Sequence, residues 1–137
     1  MEFTFKTEVN ATKEKIWPYY SDPTRRYVWE LDLENLIFNG EAKTGTTGIM
    51  KLKDMPEMQF EMIKVVDFES YWDKTDIPGM GSLLFGHDII EEDGKTFIVH
   101  TVKLQKEIEE DKDLEFLRGV FADVPDAVMK IKDEVQK

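Results

Sequence analysis

The alternation of apolar and polar residues divides the chain into a run of strands followed by one long helix. From Glu2 to Val9, mainly apolar residues alternate with polar ones, which predicts a half-buried strand. From Asp113 to Lys137, apolar residues recur at steps of three and four, which predicts an amphipathic helix. The residues of this stripe are Leu114, Leu117, Phe121, Val124, Val128, Ile131 and Val135. Such a helix is stable when its stripe is buried, so we expect it to pack against the sheet that the strands form.

Two short helices and six further strands are predicted between these segments. The first helix begins after the capping residue Thr12 and is bent or ended by Pro18, and the second begins at Asp22 and Pro23 and continues to Trp29. The strands are predicted at residues 33–38, 49–52, 58–66, 69–75, 82–91 and 95–106. No repeat or low-complexity linker interrupts this order, so we expect a single domain over residues 1–137.

Two details of the pattern give sharper expectations. Pro125 lies inside the apolar stripe of the long helix without disturbing its spacing, so it predicts a kink rather than an end of the helix. In the strand at residues 58–66, alternation places Met58, Phe60 and Met62 on one face and extends that face to Val66.

Composition and charge exclude several classes of function. The chain has no cysteine, which excludes disulfides and thiolate metal sites. It has 29 acidic and 18 basic residues, and the net charge of −11 repels phosphate backbones, so we expect no nucleic-acid partner. No signal-peptide core and no apolar run of about 20 residues is present, so we expect a cytoplasmic protein without membrane insertion.

Three segments of the sequence resemble the START-like, SRPBCC superfamily, and its polyketide cyclase/dehydrase-like branch in particular. They are Val9-Asn10-Ala11-Thr12-Lys13-Glu14-Lys15-Ile16-Trp17, Ser21-Asp22-Pro23-Thr24 with Trp29, and Val124-Pro125-Asp126-Ala127-Val128-Met129-Lys130-Ile131-Lys132. The resemblance implies an α+β helix-grip fold, in which a seven-stranded curved antiparallel sheet wraps around a long C-terminal helix, with two short helices between strands 1 and 2. It also implies a cavity between sheet and helix for a small hydrophobic or amphipathic ligand. Proteins of this fold include carriers, receptors, cyclases and chaperone activators, so the fold does not choose the function.

The apolar faces of the predicted strands and helix supply the candidate lining of that cavity. For any single residue, plain core packing is the simpler interpretation, but methionines and aromatic residues together suit a wall that adjusts to a ligand. We expect a cavity of about 300 Å3 or more among these residues. The predicted ligand-binding residues are Phe38, Met50, Leu52, Phe60, Met62, Tyr71, Trp72, Leu83, Phe85, His87, Ile98, His100, Val102, Leu117, Phe121 and Val124.

The candidate chemistry rests on few polar residues. His87 and His100 are the only histidines, and they are candidates for acid–base catalysis, with buried hydrogen-bonded histidines as the simpler alternative. Arg25, Arg26 and Tyr27 are candidate polar anchors for a ligand, although the arginines have acidic neighbours, such as Glu30, Asp32 or Glu34, to pair with at the surface. Two histidines without a spaced third ligand predict no metal site, and no glycine-rich phosphate loop is present, so we expect no cofactor.

These patterns favour a binding protein for a small hydrophobic molecule over an enzyme. The first alternative is a cyclase or dehydratase in which His87 or His100 moves a proton and tyrosine or arginine polarises a carbonyl. The second is a protein-interaction domain of the chaperone-activator kind, which would show an exposed apolar patch. For the oligomeric state, the sequence leaves a monomer or a weak homodimer.

Overall fold

The computed structural model describes all residues from Met1 to Lys137 and contains one seven-stranded antiparallel sheet. The strands lie side by side in the order β1-β7-β6-β5-β4-β3-β2. Their bounds are β1 Glu2–Val9, β2 Leu33–Phe38, β3 Thr47–Leu52, β4 Met58–Val66, β5 Ser70–Ile77, β6 Gly81–Glu92 and β7 Lys95–Gln105. The helices are α1 Lys13–Ile16, α2 Pro18–Ser21, α3 Pro23–Arg26, α4 Asp111–Phe121 and α5 Val124–Val135. The predicted fold class is confirmed, with the curved sheet around the C-terminal helix.

The C-terminal helix packs mainly against β1 and β7, and two apolar cores form beneath it. The larger core joins α5, the short helices and the sheet, with Ile16, Met62, Ile98 and Val128 fully buried. The smaller core lies under α4, where Leu117 is fully buried among residues of β6 and β7. The sheet is therefore covered on one face by helices, and this face is the interior of the domain.

Local signals in the sequence account for the short helices. The Thr12 hydroxyl accepts a hydrogen bond from the Lys15 amide at 3.2 Å, and the Asp22 carboxylate accepts one from the Thr24 amide at 2.9 Å. Pro18 does not end the first helix but opens a second helical turn, α2, because a proline is tolerated in a first turn where its missing N–H has no partner. The first predicted helix is thus two successive turns that share Trp17.

The long C-terminal helix is divided just before Pro125. The break falls at Ala122 and Asp123, which keep right-handed helical backbone angles, and Pro125 lies in the first turn of α5. A proline ring clashes with the carbonyl of the residue four positions earlier, here Phe121, the last residue of α4. The predicted disturbance is therefore present, as an interruption of two residues.

The first turn of α4 differs from the predicted stripe. Leu114 is 38% exposed, and Asp113 is fully buried in its place. The Asp113 carboxylate accepts a hydrogen bond from the Glu110 amide at 2.7 Å and pairs with Lys106 at 2.9 Å. A capping box therefore fixes the start of the helix and rotates Leu114 toward solvent.

A register shift in β4 overturns the predicted position of Val66. The pairing of β4 with β5 slips by one residue between Met62 and Lys64. Because side chains alternate at every residue, one extra residue exchanges the two faces of a strand. Val65 consequently packs against the core, and Val66 is 40% exposed.

Gly48 on β3 tests how closely β2, β3 and β4 pack. A β-carbon at this position would lie 2.5 Å from the carbonyl oxygen of Ile37 and closer still to the Phe60 ring. We expect Gly48→Ala to lower the free energy of unfolding by about 2 kcal/mol, since overpacking forces neighbours to move. Gly119→Ala is the matched control, because the space around Gly119 is open and alanine favours the helix by up to about 1 kcal/mol. Urea denaturation measures both, and a Gly48→Ala protein as stable as wild type would contradict this packing.

Candidate functional site

Three predicted site residues form a row across the sheet on its interior face. Tyr71 of β5 pairs with His87 of β6, and His87 pairs with His100 of β7. All three are nearly or fully buried, and the two imidazole centroids are 4.7 Å apart. Alternation along β6 and β7 placed both histidines on the apolar face, and the structure agrees with that placement.

Each histidine has a hydrogen-bond partner in the protein. His100 Nε2 and the Tyr20 hydroxyl are 2.9 Å apart, and His87 Nδ1 donates to the Tyr71 carbonyl oxygen at 2.9 Å. Burial lowers the pKa of His100 to about 3, with a smaller effect of the Arg26 charge. Burial, His100 and Arg26 together hold the pKa of His87 well below 6.5. Both imidazoles are therefore neutral near pH 7, and neither changes its charge in the range where a proton shuttle would operate.

Arg26 is the one buried arginine or lysine of the chain, with 2% exposure. Its Nη2 donates to Glu30 Oε1 at 2.7 Å, one helical turn further along. The guanidinium carbon lies 5.0 Å from the Trp29 ring centroid and 5.2 Å from that of Tyr71. Burial opposes its charge, but Glu30, Tyr71 and Asp73 outweigh that cost and raise the pKa of Arg26, so the guanidinium is charged.

Asp73 and Thr75 follow Tyr71 at alternate positions of β5, and both are buried. Burial raises the pKa of Asp73 to about 7; the Arg26 charge opposes this rise, and the Glu30 charge adds to it. Asp73 is therefore the interior group whose charge changes near neutral pH. We call Arg26, Glu30, Tyr71, Asp73 and Thr75 the interior polar cluster.

Several buried atoms of the interior polar cluster have no hydrogen-bond partner in the protein. They are Arg26 Nε and Nη1, Glu30 Oε2, Tyr71 Oη and Thr75 Oγ1; of these, Tyr71 Oη lies beside Arg26 and Asp73 but forms no hydrogen bond of good geometry with either. Buried polar atoms in folded proteins almost always have partners, and an unpartnered one costs about 1–3 kcal/mol. Four of these atoms, on Arg26, Glu30 and Tyr71, surround one guanidinium and mark the cluster as a site that packing of the core alone does not explain.

The apolar residues predicted to bind a ligand lie in the interior, with one exception. Phe38, Met50, Leu52, Phe60, Met62, Tyr71 and Ile98 belong to the larger core or pack against it. Leu83, Phe85, Val102, Leu117 and Phe121 belong to the smaller core or pack against it, and Val124 contacts both. Phe38, Met50, Leu52, Phe85, Phe121 and Val124 are only partly buried.

Trp72 is the exception, since it lies on the other face of the sheet. It follows the inward Tyr71, and successive residues of a strand point to opposite faces. Its indole covers Gly86, where a β-carbon would collide with the ring, and its Nε1 donates to the Asp88 carboxylate at 3.1 and 3.2 Å. Trp72 is a packing residue of the outer face, and its predicted place in the cavity is wrong.

Of the three predicted polar anchors, only Arg26 faces the interior. Arg25 is half exposed and lies 3.9 Å from the Asp22 carboxylate. Tyr27 is 40% exposed, and its hydroxyl accepts a hydrogen bond from the Leu36 amide at 3.0 Å, which ties α3 to the edge strand β2. Neighbouring residues on a helical turn point in different directions, so one of three consecutive residues reaches the core. The surface pairing considered for the arginines holds for Arg25, whereas the partner of Arg26 is Glu30 in the interior.

Sequence reasoning missed Asp73 and Thr75 as site residues and treated Glu30 only as a surface partner. The signal for the first two was available. Residues 71, 73 and 75 share one face of a strand whose aromatic member is inward, so two polar side chains were placed in the core by alternation alone.

Neither of two recesses on the surface of the protein is the expected cavity. One, of about 510 Å3, is lined by residues 41–44 and 65–67, and the other, of about 660 Å3, is lined by residues 81–82, 105–108 and 110. Neither recess includes a residue of α4 or α5 or a predicted ligand-binding residue. The structure also places no three histidine or acidic side chains together as metal ligands.

Comparison with solved structures identifies the fold. A protein from Mesorhizobium loti has 10% identical residues and a TM-score of 0.77, over 97% of this chain and 95% of that one. The Aha1 dimer from Colwellia psychrerythraea has 13% identity and a TM-score of 0.72, over 99% and 96%. Ara h 8.0201 has 10% identity and a TM-score of 0.71, over 98% and 97%. No protein-family model and no curated protein sequence matches the chain.

At these identities the likeness defines the fold. The chain has a helix-grip fold, the fold that the resemblance of its sequence motifs implies. None of its helices has the length and apolar composition that crossing a bilayer requires.

The raised pKa of Asp73 gives a pH-dependent prediction for stability. Between about pH 4 and pH 7 the folded state holds a proton on Asp73 that the unfolded state releases, so this residue's contribution to stability falls as pH rises through that window. Asp73→Asn removes the cost of the buried charge. We expect it to raise the free energy of unfolding by about 2 kcal/mol at about pH 8 and by less at about pH 5.

Denaturant titrations of wild type and Asp73→Asn at each pH give the two free energies of unfolding. The contribution of the histidines to the pH dependence is the same in both proteins and cancels in their difference. Asp76→Asn is the matched control on the same strand, since its side chain is 79% exposed. Loss of stability in Asp73→Asn at about pH 8 would show instead that the ionised carboxylate is a favourable partner of Arg26.

Proposed function

We propose that the protein binds a small amphipathic ligand, with its polar part on the interior polar cluster and its apolar part between the sheet and the C-terminal helix, in space that opens when partly buried side chains move aside. The observation that carries this proposal is the set of unpartnered donors on Arg26 and Tyr71 within an otherwise apolar interior. A ligand oxygen that accepts from these groups recovers hydrogen bonds that the protein alone leaves unmade. The apolar part of the ligand adds the free energy of leaving water.

The partly buried apolar residues suggest how such a ligand enters. The C-terminal helix packs mainly against β1 and β7, at the far side of the sheet from β2 and β3. Phe38 of β2 and Met50 and Leu52 of β3 are the partly buried residues of that opposite side. We place the entry on this side of the sheet. The Phe38 and Tyr71 rings stack there with their centroids 6.3 Å apart, so Phe38 adjoins the interior polar cluster. Methionine side chains, with three rotatable bonds, let this wall move aside.

Catalysis is the second candidate function, and Asp73 rather than a histidine is the residue that favours it. A cyclase or dehydratase needs a group that takes and returns a proton near neutral pH, and the pKa of Asp73 is raised to about 7 by its burial. His87 and His100 do not meet this requirement. The chaperone-activator alternative has no comparable support, because the two most exposed large apolar residues, Leu31 and Ile108, lie in separate connections.

Binding of a simple amphipathic probe tests the proposal. We expect 2-naphthol, a bicyclic apolar body with one hydroxyl, to bind at one saturable site with a Kd in the micromolar range by isothermal titration calorimetry. Arg26→Lys should weaken this binding about tenfold, because lysine keeps the charge next to Glu30 but loses the planar set of donors. Native mass spectrometry of the freshly purified protein should show a retained small molecule.

Arg25→Lys is the matched control, since it changes the neighbouring, exposed arginine in the same way. It should bind 2-naphthol as wild type does, and thermal melting verifies that both variants are folded. Absence of both probe binding and a retained molecule would overturn the proposed function, as would an equal loss of affinity in the two variants.

A further inference from the structure

The charges around Arg26 determine which polar group the interior can accept. Arg26 contributes one positive charge, and the Glu30 carboxylate at 2.7 Å already neutralises it. Asp73 is a second acid in the same cluster, and no other lysine or arginine is buried. The remaining groups that face the guanidinium are Tyr20, Tyr71, His87 and His100, which are uncharged at neutral pH. A carboxylate ligand would therefore bring a further negative charge to a cluster whose only cation is already paired.

The unpartnered atoms point to the complementary chemistry. Arg26 Nε and Nη1 can only donate hydrogen bonds, Glu30 Oε2 in its ionised form can only accept, and the hydroxyls of Tyr71 and Thr75 can do either. A carboxylate has no hydrogen for Glu30 Oε2, whereas a carboxamide or a hydroxyl both accepts and donates. In the low dielectric of the interior an additional unpaired charge is costly, whereas a neutral group that completes the set of hydrogen bonds is not.

We infer that the interior polar cluster selects ligands whose buried polar group is neutral and both accepts and donates hydrogen bonds, such as a carboxamide or a hydroxyl, and that it rejects carboxylates. This inference rests on the proposed function, because it specifies the polar part of the ligand that the interior takes. It has a consequence for the biological ligand. Free fatty acids and aromatic acids are excluded, and neutral phenols, alcohols and amides are admitted.

Two isosteric probes separate charge from shape. 2-Naphthamide and 2-naphthoate share their apolar body and the outline of their polar group, and at about pH 7.5 only the second is charged. We expect wild-type protein to bind 2-naphthamide at least about tenfold more tightly, a difference that corresponds to about 1.4 kcal/mol. 2-Acetylnaphthalene, neutral but without a donor, should fall between them. Calorimetric titration of the protein with each of the three probes measures the order of their affinities.

Variants of the two acids test the cause of the selectivity. Glu30→Gln leaves the Arg26 charge without its partner, so the affinity for 2-naphthoate relative to that for 2-naphthamide should rise at least about fivefold. Asp73→Asn should act in the same direction and provides a second test should either variant fold poorly. Glu34→Gln and Asp76→Asn, which change exposed acids near the same strands, are the controls and should leave the preference unchanged.

The possible outcomes separate this inference from the proposed function. Binding of all three probes with equal affinity, or a preference for 2-naphthoate, would overturn the inference and leave the binding function intact. If Glu30→Gln and Asp73→Asn both leave the preference for 2-naphthamide unchanged, the inference is also overturned, because the acidic charges would then not cause that preference. Binding of none of these probes, nor of 2-naphthol, would overturn the binding function and the inference with it.

Discussion

The ion pair of buried Arg26 with partly buried Glu30 sets the conditions for the whole interior of this domain. A guanidinium with 2% exposure needs a counter-charge, and Glu30 supplies it through one nitrogen at 2.7 Å. The guanidinium carbon lies near the Trp29 and Tyr71 rings, which attract the cation but offer little as hydrogen-bond acceptors. One fixed positive charge with free donors is thus held against the interior face of the sheet, beside two neutral histidines.

The same charge assigns different roles to the neighbouring titratable groups. Burial and the Arg26 field both hold the two histidines neutral, so they serve as hydrogen-bonding supports. His100 links the sheet to Tyr20 of α2, and His87 links β6 to the β5 backbone. On the pKa of Asp73, burial and the Arg26 charge act in opposite directions. Its burial favours the protonated form more than Arg26 favours the carboxylate, because Glu30 already neutralises much of the arginine's effect.

Patterns of hydrophobicity predicted the fold well because burial decides most of it. The alternation in β6 and β7 and the stripe from Leu117 to Val135 correspond to faces that the structure buries. The departures arise where a local interaction outweighs the pattern. A capping box buries Asp113 instead of Leu114, and a register shift exchanges Val66 for Val65. Neither is visible in a periodicity, because the first depends on a hydrogen bond from the Glu110 amide to the Asp113 side chain and the second on the pairing of two strands.

The candidate site was less predictable, since it depends on which residues meet across the fold. Arg26 was one of three adjacent candidates, and only the packing of α3 shows that it is the inward one. Trp72 shows the converse. Its large apolar ring suggested binding, but strict alternation from Tyr71 places it over Gly86 on the outer face. Interpreting each strand by face rather than by residue type would have corrected Trp72 and revealed Asp73 and Thr75 together.

The energetics of the interior polar cluster separate its role from that of the histidines. A buried ion pair gives little net stability relative to apolar residues of similar volume, and unpartnered polar atoms beside it lower stability further. His87 and His100, by contrast, each have a partner and connect elements of the fold. Stability therefore accounts for the two histidines and does not account for the unpartnered polar atoms of Arg26, Glu30 and Tyr71. Polar residues that break the local pattern at a cost to the fold are characteristic of functional sites, and here they converge on one guanidinium.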